Sequence, residues 1–244
     1  MTLKEQASAL YKTAFPDDPD DFALGFINRF FEKNCRYILK DDRIVSMLFL
    51  LDGSLKENGG KRPALYLYAA ATLPEYRGMG LMAGLIEKAK AEAKEKGAFL
   101  LTKPATPSLF SYYESFGFKT AVFSEEKLVK RETDQKPLGK IGFEEYERLK
   151  EKLLENTPHV NLTDSKYVLS FFDLFGDENT VAAVDTAEEP PVVKEFITGD
   201  GQGRDRLLAS LNSDEAIFRI NGNTPFAMTI PQTDTSIHFM LALD

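Results

Sequence analysis

Residues 65–84 read LYLYAAATLPEYRGMGLMAG, and this stretch decides the fold. The apolar run 64–71 is eight residues long, and the stretch 64–73 is too apolar for an edge strand, which predicts a strand buried on both faces. Pro74 stops that strand because it cannot donate to a ladder. Arg77-Gly78-Met79-Gly80 then supplies a turn. Leu81, Leu85, Ala89 and Ala93 recur on one face of a helix over 81–96, with Gly97 as its stop. A strand feeding through glycines directly into a helix leaves the first helical N–H groups unpaired and aimed outward. The helix dipole adds positive potential there, and the glycines admit a phosphate close to the main chain. Such a turn is built as an anion site, although glycines also serve simply to make tight turns.

Upstream, Leu3, Ala7, Leu10 and Tyr11 predict a first helix ending at Phe15-Pro16, and Asp18 to Asp21 offer N-caps for a second carrying Phe22, Phe26, Phe30 and Phe31. Stretches 36–39 and 44–51 read as strands joined by a short turn at 40–43, so an antiparallel meander precedes the central strand. Residues 52–63, with Asn58-Gly59-Gly60 at their centre, read as a loop. Downstream, 98–102 predicts another buried strand, 107–115 a short helix with proline in its first turn, and 117–130 two strand-like stretches broken near Ser124. The polar segment RETDQKPLG at 131–139 reads as a linker. Beyond it come helices near 143–154 and 165–175, strands at 181–184 and 192–198, a Gly-rich turn, a helix at 204–211, and strands at 216–220, 226–230 and 237–243. This order repeats that of the first half in weaker form.

Two ligand classes suit the turn. Gly78-Met79-Gly80-Leu81-Met82-Ala83 fits the dinucleotide fingerprint G-x-G-x-x-G/A. That fingerprint needs an acid at the end of the following strand to hold a ribose, but the strand here ends Leu101-Thr102-Lys103. It also opens a parallel βαβ fold, whereas this turn follows two helices and an antiparallel meander, so a nicotinamide or flavin enzyme is disfavoured.

Pro74-Glu75-Tyr76-Arg77-Gly78-Met79-Gly80 resembles the Q/R-x-x-G-x-G/A acetyl-CoA motif of the GNAT superfamily of N-acetyltransferases, with Met82 at the last Gly/Ala place and Ala83 after it. Phe110-Ser111-Tyr112-Tyr113-Glu114-Ser115-Phe116-Gly117-Phe118 is similar to that family's F-Y-E-x-F-G-F. The resemblance covers about residues 1–130, and the second half resembles the degenerate second domain of tandem bacterial acetyltransferases of the enhanced-intracellular-survival type, without their third domain. It implies an α/β (α+β) protein: a GNAT fold with a mixed central sheet flanked by helices, then a degenerate GNAT-like domain. The expected division is a catalytic acetyl-CoA-binding domain at 1–130, a linker at 131–139 and the second domain at 140–244.

The resemblance also implies roles. Backbone amides of Arg77, Gly78, Met79, Gly80, Leu81, Met82 and Ala83 would bind the pyrophosphate of acetyl-CoA, the co-substrate, with Arg77 adding charge. The pantetheine would lie beside Ala70, Ala71 and Thr72, where the strand end also supplies a donor to the thioester oxygen. Ser108 is a further candidate contact. Tyr113 would be the general acid that protonates the departing thiolate, a role suited to a phenol that stays protonated at neutral pH; Tyr112 points about 100° away on the same helix. For the base, Glu75, Glu114 and the terminal carboxylate of Asp244 all stay open.

The rest is composition and elimination. A net charge of −8 disfavours nucleic acid and anionic membranes and favours a cationic partner. One cysteine, Cys35, and two histidines, His159 and His238, make neither a disulfide nor a zinc site, so no metal is expected; Cys35 reads as a small hydrophobe. With no signal-like N-terminus and no apolar span, a cytoplasmic location is expected. The glycine turn at 198–203 carries Asp200 and no arginine at the matching place, so it reads as vestigial. The expectation is therefore an acetyl-CoA-dependent N-acetyltransferase acting on a small-molecule or peptide amine, in a chain that is compatible with a homo-oligomer. Its rival is a non-catalytic CoA-binding or interaction module.

Overall fold

A computed structural model describes residues 1–57, 60–232 and 237–240. The chain divides into two compact units, one built from Met1–Leu55, Lys61–Lys119 and a return segment beginning at Met228, the other from Thr120–Ala227 with Lys56–Gly60 and the segment carrying His238.

The first unit opens with α1 (Leu3–Ala14) and α2 (Asp20–Asn34), followed by β1 (Cys35–Lys40), β2 (Arg43–Glu57) and β3 (Gly60–Thr72). A capping box starts α1: Glu5 N–H donates to Thr2 Oγ1 at 3.2 Å and Thr2 N–H to Glu5 Oε2 at 2.8 Å. Lys40 pairs with Arg43 across Asp41 and Asp42, whose φ values of 48° and 58° make the two-residue turn that matches strand twist. Then come α3 (Leu81–Glu95), β4 (Phe99–Thr102) and α4 (Pro107–Glu114). The sheet order is β1-β2-β3-β4, antiparallel between β1 and β2 and parallel between β3 and β4, as a strand–helix–strand crossover requires.

The strand beyond β4 comes from the far end of the chain. In β12 (Thr224–Ile230), Met228 to Ile230 pair antiparallel with Leu100 to Thr102. Leu48, Leu50, Leu65 and Leu67 pack on one sheet face against Leu85, Ile86, Ala89 and Ala93 of α3, with Tyr113 and Phe118. On the other face Phe49 and Tyr68 meet Phe26 of α2, which in turn meets Tyr11 of α1. Both faces of β3 are therefore covered, as its unbroken apolar run requires.

The second unit holds β5 (Lys119–Lys130), β6 (Gly139–Lys140), α5 (Phe143–Leu153), β7 (His159–Leu162), α6 (Ser165–Leu169), β8 (Asp173–Asp177), β9 (Thr180–Asp185), β10 (Val192–Thr198), α7 (Gly203–Ser210) and β11 (Glu215–Asn221). β8, β9 and β10 form an antiparallel meander, and α7 then crosses to β11, which lies parallel to β10. This is the β1-β2-β3-α3-β4 order again, a second GNAT-like arrangement. The strand flanking β11 is β5, antiparallel over Ser124 to Lys130.

Several expectations are corrected. Residues 52–57 and 60–63 are strand, not loop: β2 and β3 run on, with Ser54 and Leu55 buried. Residues 119–130 form one strand, because Ser124 is buried and paired with Asn221 instead of breaking the ladder. The helix expected over 165–175 stops at Leu169, and 173–177 is strand. There Gly176 sits so close to its neighbours that a Cβ would lie 2.8 Å from Ile141 Cδ1. Of the strand expected over 237–243, residues 241–243 lie outside the described residues, and within 237–240 only a bridge between His238 and His159 is present. Segment 131–139 is tied down: Asp205 accepts from the N–H groups of Glu132 and Thr133, and Leu138 N–H donates to Ser210 Oγ at 2.7 Å.

Candidate active site

Three features converge at the C-terminal end of β3. First, its pairing with β4 ends at Leu67 opposite Thr102, while β3 continues to Thr72. Thr102 Oγ1 donates to the Leu67 carbonyl at 3.0 Å and seals the last shared rung. Ala69 has φ 50°, a left-handed kink in mid-strand. Leu65 and Leu67 face α3, yet Ala70, three residues on, packs against the same cluster. The kink thus shifts the alternation by one and turns Ala70, Ala71 and Thr72 away from a partner on the β4 side.

Second, the strand leads through a 3-10 turn at Pro74–Tyr76 into the glycine turn. Gly78 and Gly80 have φ 75° and 73°, and a Cβ at either would meet nothing within 4 Å. Both glycines are therefore needed for conformation, and the space above them is open. The first α3 hydrogen bond runs from Gly84 N–H to the Gly80 carbonyl at 3.0 Å, so the amides of Leu81, Met82 and Ala83 precede the helix ladder. Met79 is 64% exposed, whereas Met82 packs inward against the α3 core. This accommodates the bulky residue at the motif's last place without covering the amides. Arg77 Nε donates to the Thr72 carbonyl at 3.2 Å, joining strand end to turn.

Third, Tyr113 on α4 is 5% exposed and sits against Phe118 and the end of β4. Burial pushes its phenol up to about 12, with the Thr102 hydroxyl opposing in part. It is protonated throughout the neutral range, and its acidity lies farther from a thiol's than that of a free tyrosine. Tyr112 is 36% exposed, so the two neighbours do point differently. Ser108 is exposed at the start of α4, its hydroxyl 3.0 Å from that of Thr106.

The base candidates are scattered. Glu75 pairs with Arg43 at 3.1 Å, Glu114 is exposed on α4, and Asp244 lies outside the described residues. The surroundings of Tyr11 were missed by sequence reasoning. Tyr11 Oη donates to Asp18 Oδ2 at 2.5 Å and lies 2.8 Å from Tyr68 Oη on β3. Local spacing carries no signal for a contact between residues 57 apart.

The turn at 198–203 differs from its counterpart. Asp200 Oδ1 accepts from Gln202 N–H at 2.9 Å, and Asp200 Oδ2 from Arg206 at 3.0 Å, so an internal carboxylate fills the place an anion would take. His159 and His238 pair with Glu151 and Glu195 respectively. Among the described residues no group of His, Cys, Asp and Glu is arranged to hold a metal, and no helix is long and apolar enough to cross a membrane.

Residues 2–121 match the family model described as an acetyltransferase (GNAT) domain. The whole chain is similar in fold to a GCN5-related N-acetyltransferase from Anabaena variabilis, at 15% identity and TM-score 0.72, covering 92% of this chain and 69% of that one. A GCN5-related N-acetyltransferase from Kribbella flavida is similar at 14% identity and TM-score 0.71, over 92% and 67% of the two chains. Eis1 from Mycobacterium abscessus is similar at 13% identity and TM-score 0.62, over 91% and 63%. Among curated proteins no sequence relative matches.

Proposed function

Residues 2–121 match the model of an acetyltransferase (GNAT) domain, and on that premise we propose that the chain transfers an acetyl group from acetyl-CoA to a primary amine by direct attack. The observation that carries this reading is the open glycine turn: two positive-φ glycines and the start of α3 stand immediately after a strand end whose pairing with β4 has stopped at Leu67. The amides from Arg77 to Ala83 suit the pyrophosphate, and Ala70, Ala71 and Thr72 suit the pantetheine as an added strand. Bound acetyl-CoA supplies an activated acyl carbon and a thiolate leaving group. Tyr113, held protonated by burial, is the acid that delivers a proton to sulfur.

The second domain acts as a partner that does not bind CoA, because Asp200 puts a carboxylate into the turn before α7, bonded to Gln202 N–H and to Arg206. The net charge of −8 favours a cationic acceptor, small molecule or peptide, met in the cytoplasm. The test is release of free thiol from acetyl-CoA in the presence of amines. Transfer to at least one primary amine is expected, and binding of acetyl-CoA without transfer to any would favour an interaction module.

A further inference from the structure

Tyr113 is held by its backbone, its ring and its hydroxyl. Its carbonyl accepts from Phe116 N–H at 3.0 Å and from Phe118 N–H at 3.3 Å, which fixes the end of α4. Its ring stands edge-on to Phe118, with centroids 5.5 Å apart, in the cluster that packs against α3. Its hydroxyl is hydrogen-bonded to that of Thr102. Strand alternation agrees: Leu100 belongs to the Tyr113 cluster, and Thr102, two residues on, points to the same face. Thr102 is buried and ends β4 opposite Leu67, the rung at which β3 and β4 part.

A threonine hydroxyl has one proton and two lone pairs. Thr102 gives its proton to the Leu67 carbonyl at 3.0 Å, so in its contact with Tyr113 the phenol is the donor. If the side chain at 102 served only the strand, valine, of the same shape and at home in sheets, would serve as well. The hydroxyl has a further use. A tyrosine that gives up its proton leaves a phenolate behind, and burial penalises that anion, which is what holds the phenol at about 12. Thr102 works against the penalty, because its hydroxyl can turn its proton from the Leu67 carbonyl to the phenolate.

We propose that Thr102 is the positioning residue for Tyr113: it accepts the phenol's proton in a hydrogen bond while the thioester is intact, and donates to the phenolate once that proton has gone to sulfur. This rests on the acetyl-transfer reading above, with Tyr113 as the acid. In the balanced step the amine nitrogen forms its bond to the acyl carbon as the carbon–sulfur bond breaks and its electron pair stays on sulfur. The Tyr113 Oη–H bond breaks as sulfur takes that proton. The Thr102 hydroxyl keeps its own proton and rotates it from the Leu67 carbonyl to Tyr113 Oη. Solvent accepts one proton from the nitrogen and returns one to Tyr113, and Thr102 turns back.

Valine removes the hydroxyl at nearly constant shape, and serine keeps it. The experiment measures single-turnover transfer from acetyl-CoA to the fastest acceptor among 1,4-diaminobutane, ethylamine and hydroxylamine, for Thr102→Val and Thr102→Ser in the parent and in Tyr113→Phe. Calorimetry with acetyl-CoA and thermal melts on the same samples separate chemistry from binding and folding, and Thr102→Ala, which also lacks the hydroxyl, carries the same expectation as Thr102→Val. The expected result is that Thr102→Val slows transfer by about 10-fold in the parent at unchanged acetyl-CoA affinity, changes it by less than about 2-fold in Tyr113→Phe, and that Thr102→Ser restores most of the loss. A second readout needs no turnover: in protein labelled with 13Cζ-tyrosine, the Tyr113 signal, assigned by its loss in Tyr113→Phe, is expected to shift in Thr102→Val at pH 7 and to stay in place in Thr102→Ser. Equal slowing by Thr102→Val in both backgrounds, a loss that serine does not repair, or an unshifted Tyr113 signal would overturn the positioning role and leave acetyl transfer standing. A parent that acetylates none of the three amines, or a Tyr113→Phe variant as fast as the parent, would overturn the positioning role together with the reading it rests on.

Discussion

At the residue scale, the proposed roles of Gly80 in binding and Tyr113 in chemistry can be separated. Gly80→Asp strains the turn locally, since φ 73° favours glycine, but nothing lies within 4 Å of the new Cβ and the strain stays confined to the turn, so the fold is expected to hold. Its carboxylate stands where a phosphate must approach, so acetyl-CoA affinity is expected to vanish while circular dichroism is unchanged. Tyr113→Phe should do the reverse, keeping affinity and slowing transfer by about 100-fold or more, with Tyr112→Phe far milder; single-turnover rates and calorimetry on both variants check this. Cys35 supplies a third case. Burial pushes its thiol up to about 12, with Arg36 opposing, so at pH 8 it is un-ionised and enclosed. Iodoacetamide should label it only in denaturant, which mass spectrometry reads directly. The glycine turn and Tyr113 stand out in the sequence because their motifs are local. The Asp18–Tyr11–Tyr68 chain does not, since it joins a helix, a loop and a strand that only tertiary folding brings together.

At the scale of elements, α5 is fastened to β10 by buried charge. Lys150 Nζ donates to Glu195 Oε2 at 2.8 Å, Tyr146 Oη donates to the same oxygen at 2.5 Å, and His238 Nε2 lies 2.9 Å from Oε1. Burial opposes ionisation of Glu195, but Lys150 and His238 outweigh it and hold the carboxyl far below its ordinary value of 4.5. A carboxyl depressed in the folded state contributes stability above the unfolded value and loses it as pH falls. The urea midpoint should therefore be flat near neutrality and decline below about pH 4.5. Glu195→Gln, which strands the buried Lys150, should cost about 3–5 kcal/mol at pH 7 and remove much of that decline. Sequence periodicity located most helices and central strands, since each writes its own pattern of burial. It failed where polar residues sit in extended edges, as in 52–57 and 60–63, and where Gly176 ends a helical-looking run. The pairing of β5 with β11 and of β12 with β4 left no local trace, because strand order is decided by partners distant in sequence.

At the scale of the whole molecule, two units share one order of strands and helices but differ at the decisive turn. In the first, Gly78 and Gly80 leave the start of α3 open; in the second, Asp200 and Arg206 close the start of α7. On the proposed function a single acetyl-CoA per chain is expected, bound through the first unit. The missing ribose acid after β4 further predicts that NAD(P) does not bind, so at 100 times its dissociation constant acetyl-CoA should add about 2.7 kcal/mol of stability where NAD(P) adds none. The most direct measurement is a calorimetric titration of acetyl-CoA into the parent chain and into folded Gly80→Asp. The account predicts one site per chain in the parent and no binding in the variant. Equal affinity in both, or heat from NAD(P) and none from acetyl-CoA, would contradict it.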